Sequence, residues 1–356
     1  MVRAGFKSLS RGLKPRFPEN LRSSCIPAGL GATLGTRLLL AVTLAAGGVC
    51  AAQSEGNAIH VLPRSTPVSA APRGSVLQNV DMVLVNVTVL DAEGRAVNGL
   101  EAADFSVVDD KLPQTVRYLS STDEPVSLVV VLDASGSMSA RLGDEQKAFT
   151  QLLTASNPQD DFSLIAVGDT PRAMAPWGEG VDGIQKSVSA LQSSGETALW
   201  DAMMLGLDEL KRARHPRKAM IVLSDGGDNH SRYSERALRS RLRESDVQVY
   251  AVGLFNRFAT RLEEKAGPLQ LEEVTAGTGG RVLAVHDAKE MERAVAQISL
   301  ELRNQYVLGY YPRIIARDGN WHKVKVRVTG PARSRLHLYA KEGYYAPQEE
   351  APLSSR

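Results

Sequence analysis

Cysteine is nearly absent from this chain: the 356 residues include only Cys25 and Cys50. A chain processed just after Ala52 would therefore have no disulfide, no cysteine-ligated metal and no catalytic thiol. Aromatic residues are also scarce at 5%, whereas hydrophobic residues at 43% and charged residues at 23% are ordinary for a globular protein. This composition excludes a disordered or collagen-like chain and predicts a core of normal size.

The chain also lacks a strong excess of basic over acidic residues, or of acidic over basic ones. The formal net charge is +2, but residues 1–52 contain seven basic residues and one acid, so the remainder has a net charge of −4. A mildly acidic body gives no electrostatic reason to expect nucleic-acid binding.

The basic N-terminal segment has the pattern of an export signal. An apolar run at residues 38–49 follows Arg37 and precedes the small residues Cys50, Ala51 and Ala52. This order is typical of a secretory signal peptide, predicted here over residues 1–52. We therefore expect an exported protein that is periplasmic, outer-membrane-associated or extracellular. Lipidation at Cys50, or a retained anchor, is the alternative.

Beyond the signal, the patterning predicts a flexible linker and then a central α/β domain. Proline and small polar residues dominate residues 53–76. From residue 122 to 304, nearly continuous apolar runs alternate with helical patterns; the runs are 126–132, 161–167, 219–223 and 247–252, and the helices are about 141–155, 181–192, 198–212, 234–245 and 288–304. Such alternation predicts a doubly wound, mostly parallel sheet of roughly six strands with helices on both faces.

Two short β units flank this domain, at residues 77–121 and 305–348, with a tail at 349–356. Strands are predicted at 81–90, 115–119, 306–311, 321–328 and 335–339, and Asp318-Gly319 predicts a hairpin between 306–311 and 321–328. About three strands per flank is marginal for a separate domain. We therefore expect the flanks to pack together as one small β-sandwich, with the α/β domain inserted between them.

Candidate metal ligands stand where two buried strands end. The first strand runs into Asp133-Ala-Ser135-Gly-Ser137, and the strand at 219–223 ends near Asp225. Thr197 lies at the start of a predicted helix. The carboxyl ends of parallel strands meet in one crevice, and hard cations prefer oxygen ligands. The sequence therefore predicts a divalent-cation site made by Asp133, Ser135, Ser137, Thr197 and Asp225.

In these residues the chain resembles the von Willebrand factor type A domain over 123–302. The resemblance implies a metal-ion-dependent adhesion site in which both serines and the threonine bind the ion directly and the aspartates often act through water. Mg²⁺ is expected, and Mn²⁺ or Ca²⁺ is compatible with such ligands. The flanks resemble exported bacterial proteins related to this family, in the following segments: Leu100, Asp104-Phe105, Leu302–Tyr306 and Gly343–Tyr345.

The expected function is cation-dependent protein binding without catalysis. Because the ligands do not fully neutralise the ion, an Asp or Glu carboxylate of a partner protein can replace a bound water. The partner is unidentified, and a cell-envelope component is one candidate. The main alternative is a structural or assembly protein of the envelope whose metal site takes no external ligand. The sequence leaves the oligomeric state open.

Several residues have competing interpretations. A serine hydrolase using Ser137 is a weaker alternative, because the G-x-S-x-G elbow is missing. Asp228 is either a solvated turn acid or an outer acid of the metal site. The basic cluster at 211–218 favours a solvated cap at a helix end, and the scattered histidines favour structural roles over a zinc site.

Overall fold

The computed structural model describes residues 82–255, 262–330 and 335–348. The predicted signal peptide, the linker at 53–76, both cysteines and the tail at 349–356 lie outside the described residues. Within these three ranges, no helix is both long enough and apolar enough to cross a membrane.

The described elements alternate in type through the centre of the chain and are all β at its flanks. The strands are β1 (Val83–Leu90), β2 (Phe105–Asp109), β3 (Leu112–Gln114), β4 (Tyr118–Ser120), β5 (Val126–Asp133), β6 (Asp161–Val167), β7 (Arg172–Ala175), β8 (Arg217–Ser224), β9 (Val247–Leu254), β10 (Val282–Val285), β11 (Tyr306–Tyr310), β12 (Trp321–Val328), β13 (His337–Ala340) and β14 (Gly343–Tyr345). The helices are α1 (Leu142–Ala155), α2 (Val181–Ser189), α3 (Leu199–Leu210), α4 (Glu235–Glu244), α5 (Leu262–Thr275) and α6 (Ala288–Arg303).

A central sheet of six described strands has the order β10-β9-β8-β5-β6-β7. Its pairs are parallel except for β7, which runs antiparallel to β6 at one edge. Every residue of β5, β6 and β9 is buried, as expected for strands covered on both faces. The predicted doubly wound, mostly parallel fold is therefore confirmed.

Helices cover both faces of this sheet. Buried residues of α1, α2 and α6 pack with one face, and those of α3, α4 and α5 pack with the other. The sequence patterns do not predict α5, because Pro268 interrupts it and its apolar positions lack a clear helical period. Its buried Leu271 and Val274 nevertheless lie three residues apart and reach the second face.

The flanks form two four-stranded sheets of described strands, in the orders β13-β1-β11-β4 and β14-β12-β2-β3. One shared cluster of buried residues lies between them and includes Val87, Phe105, Tyr306 and Val326. Each sheet contains strands from both flanks, which confirms the expected sandwich. The predicted hairpin is wrong, because β11 pairs with β1 and β4 whereas β12 pairs with β2 and β14. The chain does bend at Gly319, where φ is positive, but this segment crosses from one sheet to the other.

A buried polar network joins the sandwich to the central sheet. Gln305, 2% exposed, donates from its amide to Thr88 Oγ1 at 3.1 Å and to Gln248 Oε1 at 3.0 Å. Its Oε1 accepts from the Arg217 guanidinium at 2.8 Å. Arg217 also donates to the carbonyl groups of Glu124 and Leu302. Arg217 is therefore a buried connector, and its assignment to a solvated basic cap is wrong.

We expect Gln305→Ala to lower the free energy of unfolding by about 2–3 kcal/mol. The reason is that partners such as Thr88 and Arg217 would stay buried with unsatisfied polar groups. Denaturant-induced unfolding of both proteins measures the difference. Gln151→Ala, on the exposed side of α1, is the matched control and should change the stability by less than about 0.5 kcal/mol. Equal, small effects of the two substitutions would contradict the network's role.

Candidate metal centre

The crevice predicted to bind a cation lies between the adjacent strands β5 and β8. From β5 the chain continues to α1 on one face of the sheet, and from β8 it continues to α4 on the opposite face. The two loops therefore diverge and leave an opening above the strand ends, where open α/β sheets usually bind ligands. Asp133 is the last residue of β5, and Asp225 follows the last residue of β8.

Asp133 is the most deeply placed of the predicted ligands, with a relative exposure of 0%. Its Oδ1 accepts a hydrogen bond from the Ser135 N–H at 3.1 Å, and its Oδ2 accepts one from the Ser224 hydroxyl at 2.6 Å. Burial raises the pKa of Asp133 to about 6 in spite of these hydrogen bonds, and the charge of Asp225 adds to the rise. A bound cation would offset both effects and favour the ionised carboxylate.

Both serines of the motif lie in the tight turn that follows Asp133. Ser135 is buried, Ser137 is exposed, and their hydroxyl oxygens are 3.0 Å apart. The Gly136 N–H donates to the Gly195 carbonyl group at 2.9 Å, which attaches this turn to the loop before Thr197. A Cβ on Gly136 would lie 3.2 Å from that carbonyl oxygen, so a larger residue would push the two backbone segments apart by a few tenths of an ångström.

Thr197 links the same loop to the segment after Asp225. Its N–H donates to the Asn229 side chain at 2.9 Å, and its carbonyl oxygen accepts from the N–H groups of Asn229 and His230 at 3.0 and 3.1 Å. Hydrogen bonds thus hold the three segments of the predicted ligands together at one end of the sheet. Metal binding by these residues stays a prediction.

Asp228 has a third role that neither interpretation of the sequence anticipates. Its Oδ1 accepts from the N–H groups of Leu199 and Trp200 at 2.8 and 3.3 Å. These groups belong to the first turn of α3, where N–H groups have no partner within the helix. Asp228 therefore caps the helix that begins just after Thr197, and it stabilises the position of that ligand indirectly. It is not a solvated turn acid.

Glu145, a buried acid on α1 that interacts electrostatically with Asp133 and Asp225, is not among the predicted site residues. Its relative exposure is 0%, and neither carboxylate oxygen has a hydrogen-bond partner among the described residues. Burial raises its pKa well above the usual range, and the charges of Asp133 and Asp225 raise it further. The sequence does contain one indication that Glu145 is buried. It interrupts the apolar stripe of α1 formed by Leu142, Phe149 and Leu152.

The available donors fit a hard divalent cation. Carboxylates and hydroxyl groups supply only oxygen atoms, and Mg²⁺, Mn²⁺ and Ca²⁺ prefer oxygen ligands. Asp133 and Asp225 bring negative charge to this point, and Glu145 can add to it once a cation favours its ionised form; in the described structure no basic side chain is hydrogen-bonded to Asp133 or Glu145, although the charge of Arg141 lowers the pKa of Glu145 slightly. Two buried acids, Asp133 and Glu145, beside the half-buried Asp225 are unfavourable as charged groups unless a counter-charge such as a cation is bound.

Ser137 lacks the environment of a hydrolase nucleophile. Its described hydroxyl partner is Ser135, and no histidine side chain is among its hydrogen-bond partners in the described part of the chain. His230 approaches the site through its backbone N–H, which donates to Thr197. Among the described contacts, Ser137 therefore has no neighbouring base that would activate it as a nucleophile.

Comparison with known proteins is consistent with this fold. Residues 128–227, which include all five predicted ligands, match the family model described as von Willebrand factor type A domain. Inter-alpha-trypsin inhibitor heavy chain H4 of Homo sapiens is 22% identical over 51% of this chain and 20% of that protein. Cuticlin-6 of Caenorhabditis elegans is 27% identical over 49% of this chain and 30% of that protein. The chain thus spans less than a third of these two relatives.

Two solved structures align with parts of this chain at low sequence identity. A von Willebrand factor type A protein from Catenulispora acidiphila aligns with a TM-score of 0.45 and 14% identity, covering 78% of this chain and 76% of that one. A conserved hypothetical protein, BatB, from Bacteroides thetaiotaomicron aligns with a TM-score of 0.39 and 18% identity, covering 49% and 98%.

Proposed function

We propose that this chain, which contains a von Willebrand factor type A domain, binds a partner protein through a divalent cation held at the ends of β5 and β8. Domains of this type are generally interaction or adhesion modules. The observation that supports the proposal most directly is the hydrogen bonding that unites the turn after Asp133, the Thr197 loop and the segment after Asp225 in one crevice.

Five oxygen-bearing side chains would hold the cation, and we expect Mg²⁺ with Mn²⁺ or Ca²⁺ as substitutes. They are Asp133, Ser135, Ser137, Thr197 and Asp225. The two carboxylates supply negative charge, whereas the three hydroxyl groups supply neutral donors. Bound there, Mg²⁺ would supply an exchangeable coordination position for an Asp or Glu carboxylate oxygen of the partner.

The different burial of the predicted ligands indicates the side from which a partner protein can reach the cation. Asp133 and Thr197 are buried at its base, whereas Ser137 and Glu196 are exposed at its rim. A partner side chain would therefore approach past Ser137. The rim is firmly positioned, since Asn229 donates to the Glu196 carboxylate at 2.7 Å and Asp169 accepts from the Glu196 N–H at 2.6 Å. Such preorganisation lowers the ordering cost of binding.

We further propose that binding takes place at the cell envelope or outside the cell. The apolar run at residues 38–49, after a basic segment, supports this location. A protein ligand with an accessible acidic residue, such as an envelope component, suits both the location and the chemistry of the site.

Water-proton relaxation of the Mn²⁺-loaded chain tests the open coordination position. Mn²⁺ at this centre should enhance relaxation through an exchangeable water. Acetate, a mimic of the partner's carboxylate, should reduce the enhancement, whereas the neutral analogue acetamide should not. The part of the signal that disappears in Asp133→Ala belongs to this centre.

If the relaxation enhancement depends on Asp133 but does not change with acetate, the adhesion mechanism is wrong and the metal site is structural. If the relaxation enhancement is the same in wild type and Asp133→Ala, the proposed metal site is wrong as well.

A further inference from the structure

A second cluster of metal-ligand types lies in the β-sandwich, outside the crevice described above. Asp109 ends β2, Asp110 follows it in the turn to β3, and His322 lies on β12. One ligand atom of each of the three residues lies within 4.8 Å of the others. The pairing of β2 with β12 produces this meeting of residues more than 200 positions apart, since Asp109 is in register with Val324.

Hydrogen bonds fix the orientation of the Asp109 carboxylate, as is usual for a carboxylate that binds a metal. Its relative exposure is 5%, and its Oδ2 accepts hydrogen bonds from the hydroxyl groups of Tyr310 at 3.0 Å and Tyr344 at 3.1 Å. Burial and the nearby Asp109 charge raise the pKa of both tyrosines, so both stay protonated donors. Its Oδ1 is buried and has no hydrogen-bond partner among the described residues. A buried carboxylate oxygen without a partner is costly unless a cation or another donor reaches it.

The imidazole of His322 is fixed on both of its nitrogen atoms. Nδ1 lies 2.6 Å from Asp110 Oδ2, and Nε2 lies 3.2 Å from Asp318 Oδ1. The ring stacks on Tyr344 with 5.5 Å between centroids and 22° between planes. Asp110 is fixed as well, because its Oδ1 accepts from the Lys323 N–H at 2.9 Å. All three candidate ligands therefore have supporting contacts.

We propose that Asp109, Asp110 and His322 form a second divalent-metal site that prefers a first-row transition ion such as Zn²⁺. In this site Asp109 Oδ1, Asp110 Oδ2 and His322 Nδ1 are the ligands, the ion replaces the proton shared by Nδ1 and Asp110 Oδ2, and the His322 Nε2–H donates to Asp318. A carboxylate that orients a metal-bound histidine is a recurring outer-shell arrangement.

The types of ligand atom in this cluster determine which metal ions it should prefer. One imidazole with two carboxylates suits Zn²⁺ or Mn²⁺, whereas Mg²⁺ and Ca²⁺ prefer all-oxygen sites. Three protein ligands leave at least one position for water or for an external group, and Asp110 and Asp318 are partly exposed at the site's edge. The site differs in this respect from the oxygen-only crevice in the α/β domain, so the two should prefer different metals.

Calorimetric titration of Zn²⁺ into the full chain tests the proposal, with excess Mg²⁺ present to saturate the other centre. We expect one Zn²⁺ site that persists in Asp133→Ala and whose affinity falls at least 100-fold in His322→Gln. His337→Gln, an exposed histidine on β13, is the matched control and should leave this site unchanged. Asp318→Asn keeps all three ligands and should weaken Zn²⁺ binding by about 10–100-fold.

Identical Zn²⁺ stoichiometry and affinity in wild type, His322→Gln and Asp318→Asn would overturn the proposal. His322 would then be a protonated bridge between Asp110 and Asp318 without a metal. Far-UV circular dichroism of each variant separates loss of Zn²⁺ binding from loss of folding. If His322→Gln does not fold, the Zn²⁺ affinity of Asp318→Asn is the test of the proposal.

Discussion

Asp133→Ala is expected to abolish saturable Mg²⁺ binding at the crevice while the chain keeps its fold. Asp133 is the buried carboxylate at the base of the site, and its removal would leave one carboxylate and three neutral hydroxyl groups. Outer partners of a metal site already contribute 10–100-fold to affinity, so losing a central acid should weaken Mg²⁺ binding by more than about 100-fold. Calorimetric titration of metal-stripped protein with Mg²⁺, and then with Mn²⁺, measures the change.

The fold should survive because the ionised Asp133 is itself unfavourable without a cation. The raised pKa of Asp133 reflects that cost, so alanine relieves it while leaving the Ser224 hydroxyl and the Ser135 N–H without this acceptor. Thermal unfolding should therefore stay within a few degrees of the wild type. Asp182→Asn, an exposed acid on α2, changes the net charge equally and should leave Mg²⁺ binding intact. Mg²⁺ affinity equal in Asp133→Ala and wild type would show that these residues are not the metal centre.

Replacing Glu145 with methionine should change apo stability and metal affinity in opposite directions. In the metal-free protein, the buried Glu145 carboxyl group has no described hydrogen-bond partner and faces the charges of Asp133 and Asp225. A methionine of similar length should pack against Leu142 and Phe149 and raise the free energy of unfolding by about 1–2 kcal/mol. With metal, the same change removes a negative charge near the ion and should weaken Mg²⁺ binding by about tenfold or more.

Thermal unfolding with and without saturating Mg²⁺ measures both effects of Glu145→Met. The apo transition should move to a higher temperature, and the additional shift caused by Mg²⁺ should shrink. Asp144→Asn is the neighbouring control; this acid forms a surface pair with Lys147 at 3.6 Å, so both quantities should stay near wild type. A lower apo transition with an unchanged Mg²⁺ shift would mean that Glu145 only supports the local structure.

Much of the α/β domain is predictable because its signals are local. The run from Val126 to Leu132 is apolar enough to predict a strand buried on both faces, and the spacing Asp133, Ser135 and Ser137 places three donors in the turn that follows. The five predicted helices are present within a few residues of their predicted bounds. The helix α5 was missed because Pro268 and a weak apolar period hide it.

The candidate sites depend on contacts that local patterns do not encode. In sequence Glu145 is an ordinary helical acid, but the packing of α1 buries it where the charges of Asp133 and Asp225 raise its pKa. Arg217 belongs to a basic cluster in sequence, yet the approach of Gln305 and two carbonyl groups makes it a buried donor.

Local patterns in the sequence are enough to predict the fold class and the candidate ligands of the first metal centre, and the small size of each flank predicts that the two flanks pack together. Hydrophobic period and motif spacing report which residues are buried and which follow a strand, and both are properties of a few neighbouring residues. The assignment of β11 and β12 to different sheets, and the meeting of Asp109 with His322 across β2 and β12, become visible only in the folded chain. The physical reason is that strand partners are selected by the burial of shared faces between distant segments, and no short stretch of sequence contains that information.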